Sequence, residues 1–283
     1  EILGLLKFKP KKIFHYDISE KNVKIFKKTI KRLNLQNKIV SWKFDISKNK
    51  LPKNKFDLIY LHGVIQHVDF VEKGVQNLCS SLKKDGYMWF YFYRPGSLNI
   101  FLGSLQRFII KKININYFIK MLKDKYSKNF VDGIIDDTFV PNRQLFYPMD
   151  YSNVLKKNNC KIIGNTFLKS MSKKVDFCNF HQSVVFFVKK KQSKKLKKFN
   201  EDRYLKRGFD VNVLDKKLYK DKNIVDIIKY VEKINLNDKK KIIQLIVEFE
   251  KIKDLITEKY FINKKLNKKE YFNYIYRIKN LVK

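Results

Sequence analysis

Over roughly the first 190 residues, short apolar runs alternate with segments whose apolar positions recur every three or four residues. Ile13 to Tyr16, Ile39 to Phe44, Leu58 to Leu61 and Tyr87 to Tyr93 are runs of the kind a parallel strand shows when both its faces are covered. Between the first two, Val23, Phe26, Ile30 and Leu33 at helical spacing predict a helix, with Ser19 placed to cap its free amides. Asp85-Gly86 predicts a tight turn that delivers the strand beginning at Tyr87. Residues 98–127 are apolar and basic at helical spacing, and Asp136 to Pro141 reads as a loop-rich stretch. Met149 to Asn158 reads as a helix. Lys161 to Phe167 and Ser183 to Val188 read as two closing strands. This order predicts an α/β fold, a parallel sheet covered by helices.

Beyond the lysine-rich Lys189 to Lys198 the alternation stops. Helices are expected near 222–234, 238–262 and 268–281, the last with Asn267 as N-cap and Glu270 three residues on. Ile242, Ile243, Leu245, Ile246, Phe249, Ile252 and Ile256 form an amphipathic stripe whose first reading is a core face. The division expected is therefore an α/β domain over 1–190 and a helical C-terminal region over 191–283.

A chain of 283 residues with 44% apolar residues can bury a sizeable core, which excludes a disordered class. The formal charge of +36 invites nucleic acid or anionic lipid. Both parts of the chain are basic to a similar degree, however, and lysine far outnumbers arginine while Asn, Ile, Phe and Tyr are plentiful. That is the signature of an AT-rich coding sequence, whereas a nucleic-acid surface gathers its basic residues on one face. RNA stays as an alternative partner. Cys79, Cys160 and Cys178 form no CxxC pair and are odd in number, which argues against a disulfide framework and a zinc site and for a reducing cytoplasm. No metal is expected, and no run approaches the roughly 18 apolar residues of a membrane span.

Several residues could carry chemistry. Asp17 closes the first strand and Asp45 the second, and ligands of open α/β sheets gather at such strand ends. Either acid alone could equally be a helix cap or a solvated turn. Asp57 opens its strand, at the end away from the crevice, and reads as structural. His67 follows the third strand and can be either a general base or a buried histidine bonded to backbone. Arg94, after the Tyr87 to Tyr93 strand, suits a carboxylate or phosphate of a substrate. Arg143 and Tyr147 lie in a stretch whose contents suggest a partly aromatic pocket.

Three segments together resemble a known family. His15-Tyr16-Asp17-Ile18-Ser19-Glu20, Phe44-Asp45-Ile46, and Phe56-Asp57-Leu58-Ile59-Tyr60-Leu61-His62-Gly63-Val64-Ile65-Gln66-His67-Val68 with Leu82-Lys83-Lys84-Asp85-Gly86 resemble class I S-adenosylmethionine-dependent methyltransferases. The resemblance implies that S-adenosylmethionine is the cofactor, with Asp17, beside Ile18, on the ribose. Asp45 would accept from the adenine amino group, Ile46 would pack on the adenine ring, and Leu61 and His62 would approach the sulfonium and methionine part. It implies methyl transfer to an O, N or C nucleophile, with a small molecule as the expected acceptor. The family's first strand and glycine-rich loop have no counterpart before Ile13. The expectation is a fragment lacking the strand between the second and fourth, which binds cofactor poorly. The fold the resemblance implies is a Rossmann-like methyltransferase sheet with helices on both faces. A dinucleotide-dependent oxidoreductase would use Asp17 equally well, but Asp45 and the run from Phe56 to Val68 favour the methyl donor, and an antiparallel last strand at Ser183 to Val188 would support it further. A non-catalytic binding protein for RNA or a protein partner is the reading from a different class.

Overall fold

A computed structural model describes residues 2–166, 183–191, 212–263 and 266–283. After a 3-10 turn over Ile2–Phe8, β1 (Ile13–Asp17) leads through the Ser19 cap, whose hydroxyl accepts from the Asn22 amide at 3.2 Å, into α1 (Glu20–Arg32). Val23 and Ile30 of α1 are buried. The chain returns as β2 (Ile39–Lys43), parallel to β1 with Ile13 opposite Ile39. Then come β3 (Phe56–His62), a 3-10 turn at Ile65–His67, α2 (Val71–Ser81) and β4 (Leu82–Tyr93), which starts where α2 ends. β5 (Cys160–Thr166) and β6 (Ser183–Lys190) complete a four-stranded sheet in the order β3-β4-β6-β5. β3 and β4 are parallel, and β6 runs antiparallel to both β4 and β5, as expected for the last strand.

The sheet is divided. β1 pairs with β2 alone and β3 with β4 alone, and among the described residues no strand lies between β1 and β3. Phe14 and Tyr16 of β1 instead meet the Phe56 ring at the foot of β3, centroids 5.6 and 6.4 Å apart.

The expected turn at Asp85-Gly86 lies inside β4. The register jumps from Phe56 opposite Leu82 to Leu58 opposite Tyr87, and Asp85 takes a left-handed φ of 61°. The extra residues form a bulge rather than a break, because a turn that leaves both sides paired to one neighbour stays within the ladder. Gly86 is required there: a Cβ would stand 3.0 Å from the Lys83 carbonyl oxygen and 3.1 Å from that of Phe56.

Alternation along the strands decides which face is core. Met88, Phe90, Phe92, Val184, Phe186 and Val188 point to one face and are buried in a cluster with α2 and α6 (Pro148–Lys157). The Tyr151 ring of α6 lies 4.2 Å from that of Phe92. The opposite face carries Tyr60, His62, Trp89, Tyr91, Tyr93 and Phe187, all half-buried.

A second core is wholly helical. After β4 come α3 (Leu98–Ile109), α4 (Ile115–Leu122) and α5 (Lys128–Thr138). Towards the end of the chain lie α7 (Lys222–Glu232), α8 (Lys239–Asn263) and α9 (Lys268–Val282), all three near the expected ranges. Leu102, Leu105, Phe118 and Ile134 of the first group bury together with Ile227, Ile246, Phe249 and Ile278 of the second. All seven residues of the Ile242 to Ile256 stripe lie in this core. Asn267 and Glu270 form the expected reciprocal cap of α9. Asp136, Asp137 and Thr138, read from sequence as the start of a loop, are the last turn of α5. Val131, Ile134 and Thr138 keep its buried stripe, and Lys253 of α8 bonds the Asp137 carboxylate at 2.5 Å. Lys253 also meets Glu250 at 2.9 Å, and Gln106 of α3 donates to Glu250 at 3.0 Å, so a buried polar network ties α3, α5 and α8.

Candidate active site

Asp17 and Asp45 meet where β1 and β2 end. The Phe44 amide donates to the Asp17 carbonyl at 2.9 Å, which sets Asp45 one residue beyond the ladder. One Asp17 oxygen accepts from the Ser19 amide at 2.7 Å and the other from the Asn22 side chain at 3.3 Å. Each oxygen keeps acceptor capacity for a further donor. Asp45 is more enclosed: burial pushes its carboxyl up, but the Ser47 hydroxyl at 2.7 Å and amide at 2.8 Å, with Lys48, outweigh this and hold it below the usual range. Of the neighbours, Ile18 is exposed, whereas Ile46 is buried in the core within reach of Gly74 and Ile65.

Ion pairs connect Asp45 to the segment after β3. Lys48 lies 3.6 Å from Asp45 and 2.7 Å from Asp69, and Asp69 accepts from the Asn142 side chain. Asn142 belongs to an extended stretch after α5 in which side chains alternate. Asn142 and Gln144 face the α/β half, where the Gln144 amide donates to the Gln66 carbonyl at 2.7 Å and its side chain to that of Val68 at 3.0 Å. Arg143 and Leu145 face the opposite way, towards α3.

His67 is held from both sides. Its Nδ1 lies 2.6 Å from the Asn142 carbonyl, which can only accept, so that nitrogen carries the proton. Nε2 then accepts from the Gln66 side chain at 3.3 Å, and the same amide donates to the Gly63 carbonyl at 2.7 Å. Burial lowers the pKa of the ring, the bond to Asn142 opposes this, and the positive charges of Arg143 and Arg107 lower it further. The imidazole is therefore neutral at neutral pH.

At the end of β3, Leu61 is buried in the core and His62 stacks on Tyr91, centroids 4.1 Å apart and planes within 2°. Gly63 turns the chain with φ 66°. Tyr93, 5.8 Å beyond Tyr91, has its hydroxyl pKa raised by burial and by the neighbouring Tyr91, and is within electrostatic reach of Arg143. Arg94 is buried. Tyr147 starts α6, its amide donating to the Asp150 carboxylate at 3.2 Å. Asp57, paired with Lys83 at 2.8 Å, stays at the foot of β3.

The structure thus gathers Asp17, Asp45 and His67 into one bonded region and adds Lys48, Gln66, Asp69 and Asn142, which sequence reading missed. Their only local signal is polarity. Among the described residues no group of three His, Cys, Asp or Glu could hold a metal ion, no helix is long and apolar enough to cross a membrane, and Cys79 and Cys160 are free and buried. Cys178 lies outside the described residues.

Residues 2–90 match the protein family described as "Methyltransferase domain". This span holds β1 to β3, most of β4, and all three segments on which the resemblance to class I methyltransferases was read. No curated relative matches the chain. Solved structures that superpose on it include PKMT2 from Rickettsia typhi, with 16% identity, TM-score 0.47, and coverage of 71% of this chain and 48% of that one. An S-adenosylmethionine dependent methyltransferase from Mesorhizobium loti follows at 12% identity and TM-score 0.40, covering 64% and 81%. A SAM dependent methyltransferase from Aquifex aeolicus superposes at 13% and 0.36, covering 63% and 68%. Superpositions this loose carry no functional argument; the match over residues 2–90 does.

Proposed function

We propose that the chain transfers a methyl group from S-adenosylmethionine to an O, N or C nucleophile of a small-molecule acceptor. The observation that carries this is the placing of Asp17 and Asp45 at adjacent strand ends within the matched span. The residues present fit the nucleoside end of the cofactor. Asp17 retains acceptor capacity on both oxygens for ribose hydroxyls, and Asp45 is held ionised to accept from the adenine amino group. Leu61, His62 and Gly63 would flank its methionine end. The described residues supply no glycine-rich cradle for the amino-acid carboxylate, so binding is expected to be weak.

S-adenosylmethionine, when bound, would supply an electrophilic methyl on a sulfonium, whose sulfur leaves readily as a neutral thioether. What remains for the protein is alignment and exclusion of water. The 142–147 stretch, tied to Gln66, Val68 and Asp69, forms the acceptor-side wall. His67 holds a proton at Nδ1, and taking one from an acceptor at Nε2 requires the Gln66 amide to move off it. The helices of residues 98–138 and 222–282 share one apolar core, which supports reading them as a unit beside the acceptor side.

Calorimetric titration of S-adenosylhomocysteine tests this reading. Weak saturable binding, at least ten-fold weaker in Asp17→Ala, is expected. No binding at millimolar ligand, or binding indifferent to Asp17→Ala, would sink it.

A further inference from the structure

A cavity of about 750 Å³ lies between α3, the 139–145 stretch, residues 212–214 and α7, within the size range of small-molecule sites. Two guanidinium groups line it, those of Arg107 on α3 and Arg143. Both reach the Asp137 carbonyl, at 3.4 and 3.5 Å, and the further bonds of Arg107 to the Thr138 and Pro141 carbonyls are 3.5 Å each. All are long for charged donors, which ordinarily bond at about 2.7–2.9 Å to an anion. The Arg143 Nε is sealed from solvent and has no hydrogen-bond partner among the described residues. Neither arginine has an ion-pair partner there: the Asp137 carboxylate is taken by Lys253, and Glu232, the one carboxylate lining the cavity, is taken by Lys216 at 2.8 Å. Lys111 adds a further positive charge to the wall.

Two cations enclosed together are unfavourable by themselves: burial lowers the pKa of both and Arg143 adds repulsion at Arg107, while the one carboxylate within electrostatic reach, that of Asp137, opposes this at both but is shared with Lys253. The fold nevertheless makes room for the arrangement. Gly103, inside α3 where glycine weakens a helix, lies under the Arg143 guanidinium; a Cβ there would stand 3.1 Å from Nη1 and 3.3 Å from Nη2.

We infer that this cavity binds an oxyanion, a carboxylate or a phosphate ester, gripped jointly by Arg107 and Arg143, and that the anion is part of the methyl acceptor. The oxyanion site stands on the arginines and the cavity; its assignment to the acceptor rests on the methyl-transfer reading. Arg143 shares its stretch with Asn142, which holds His67, and Tyr93 links it to the His62 and Tyr91 stack. An acceptor anchored by its anion on the arginines would extend along these rings towards His62. Phe108, Phe139 and Leu145 give the cavity an apolar wall for the body of such a molecule.

The test is calorimetric titration of inorganic phosphate and of benzoate, at low salt, into the full chain and into Arg107→Gln, Arg143→Gln and Lys24→Gln. Lys24, paired with Glu20 on the exposed side of α1, controls for unspecific attraction by a basic protein. One saturable site for at least one anion is expected, about ten-fold or more weaker in each arginine variant and unchanged in Lys24→Gln. Phosphate preferred over benzoate indicates a phosphate ester, and the reverse a carboxylate. Should Arg143→Gln not fold, Arg107→Gln decides, since its bonds are all long ones. No saturable site, or equal weakening in Lys24→Gln, overturns the inference. Anion binding in a chain that does not bind S-adenosylhomocysteine keeps the site and removes the acceptor; cofactor binding without anion binding does the opposite.

Discussion

Replacing Glu72 by glutamine should make the chain more stable, increasingly so as pH rises. Glu72 lies in the first turn of α2, 7% exposed, and neither carboxyl oxygen has a hydrogen-bond partner among the described residues. Burial raises its pKa from 4.5 to about 7, against a small opposing pull from Lys157. The folded chain therefore holds this proton more tightly than the unfolded one, so the group favours folding below its unfolded pKa and the advantage is lost as pH climbs through the folded value. At 1.36 kcal/mol per pKa unit, ionised Glu72 costs about 3 kcal/mol above pH 8 and only about 1 kcal/mol near pH 5. Glutamine keeps the shape and removes the charge. Urea unfolding of both proteins at about pH 5 and pH 8.5 should show the stability gap widening by roughly 2 kcal/mol, with every other titration cancelling in the difference. A gap that does not change with pH would refute the reasoning and mean that water or an undescribed residue solvates the carboxylate. A void of about 10 Å³ beside Glu72, Val71 and Phe146 is room for about one such water.

Gly86→Ala should cost about 1–3 kcal/mol in chemical denaturation, because the added Cβ meets the carbonyl oxygens of Lys83, Phe56 and Asp57 at 3.0, 3.1 and 3.2 Å and backbone cannot swing aside. Asn267→Ala removes the acceptor for the Glu270 amide at 2.9 Å and should cost about 1 kcal/mol, read in the same assay.

How far the sequence could be read depended on whether the deciding interaction was local. The antiparallel direction of β6 was an expectation of the family resemblance, whereas the Ser19 and Asn267 caps and the stripe of α8 follow from nearby residues, and each lies where periodicity and capping put it. The end of α5 does not. Two consecutive aspartates before a proline read as loop, and what keeps Asp137 helical is Lys253, far along the chain on α8. Arg107 gave no sign in the sequence, since its meaning depends on Arg143 arriving beside it. Gly103 was the available signal, an isolated glycine in a helical pattern that marks a close approach. His67 was legible as a candidate, but its tautomer depends on the Asn142 carbonyl, 75 residues away.

The divided sheet sets the solution behaviour of the chain. On the sides where β1 and β3 face each other, no described strand pairs with their backbone, and the side chain of Leu58 on β3 is 54% exposed. Unpaired strand edges recruit strands from other molecules. The charge of +36 acts against this, since like-charged copies repel before their edges can meet. Salt removes that protection first: the screening length falls from about 30 Å at 0.01 M to about 8 Å at 0.15 M, while strand pairing is indifferent to it. The same lysines that look like an invitation to partners would then serve as a dispersant, keeping copies of this chain apart in dilute buffer and failing as ionic strength rises.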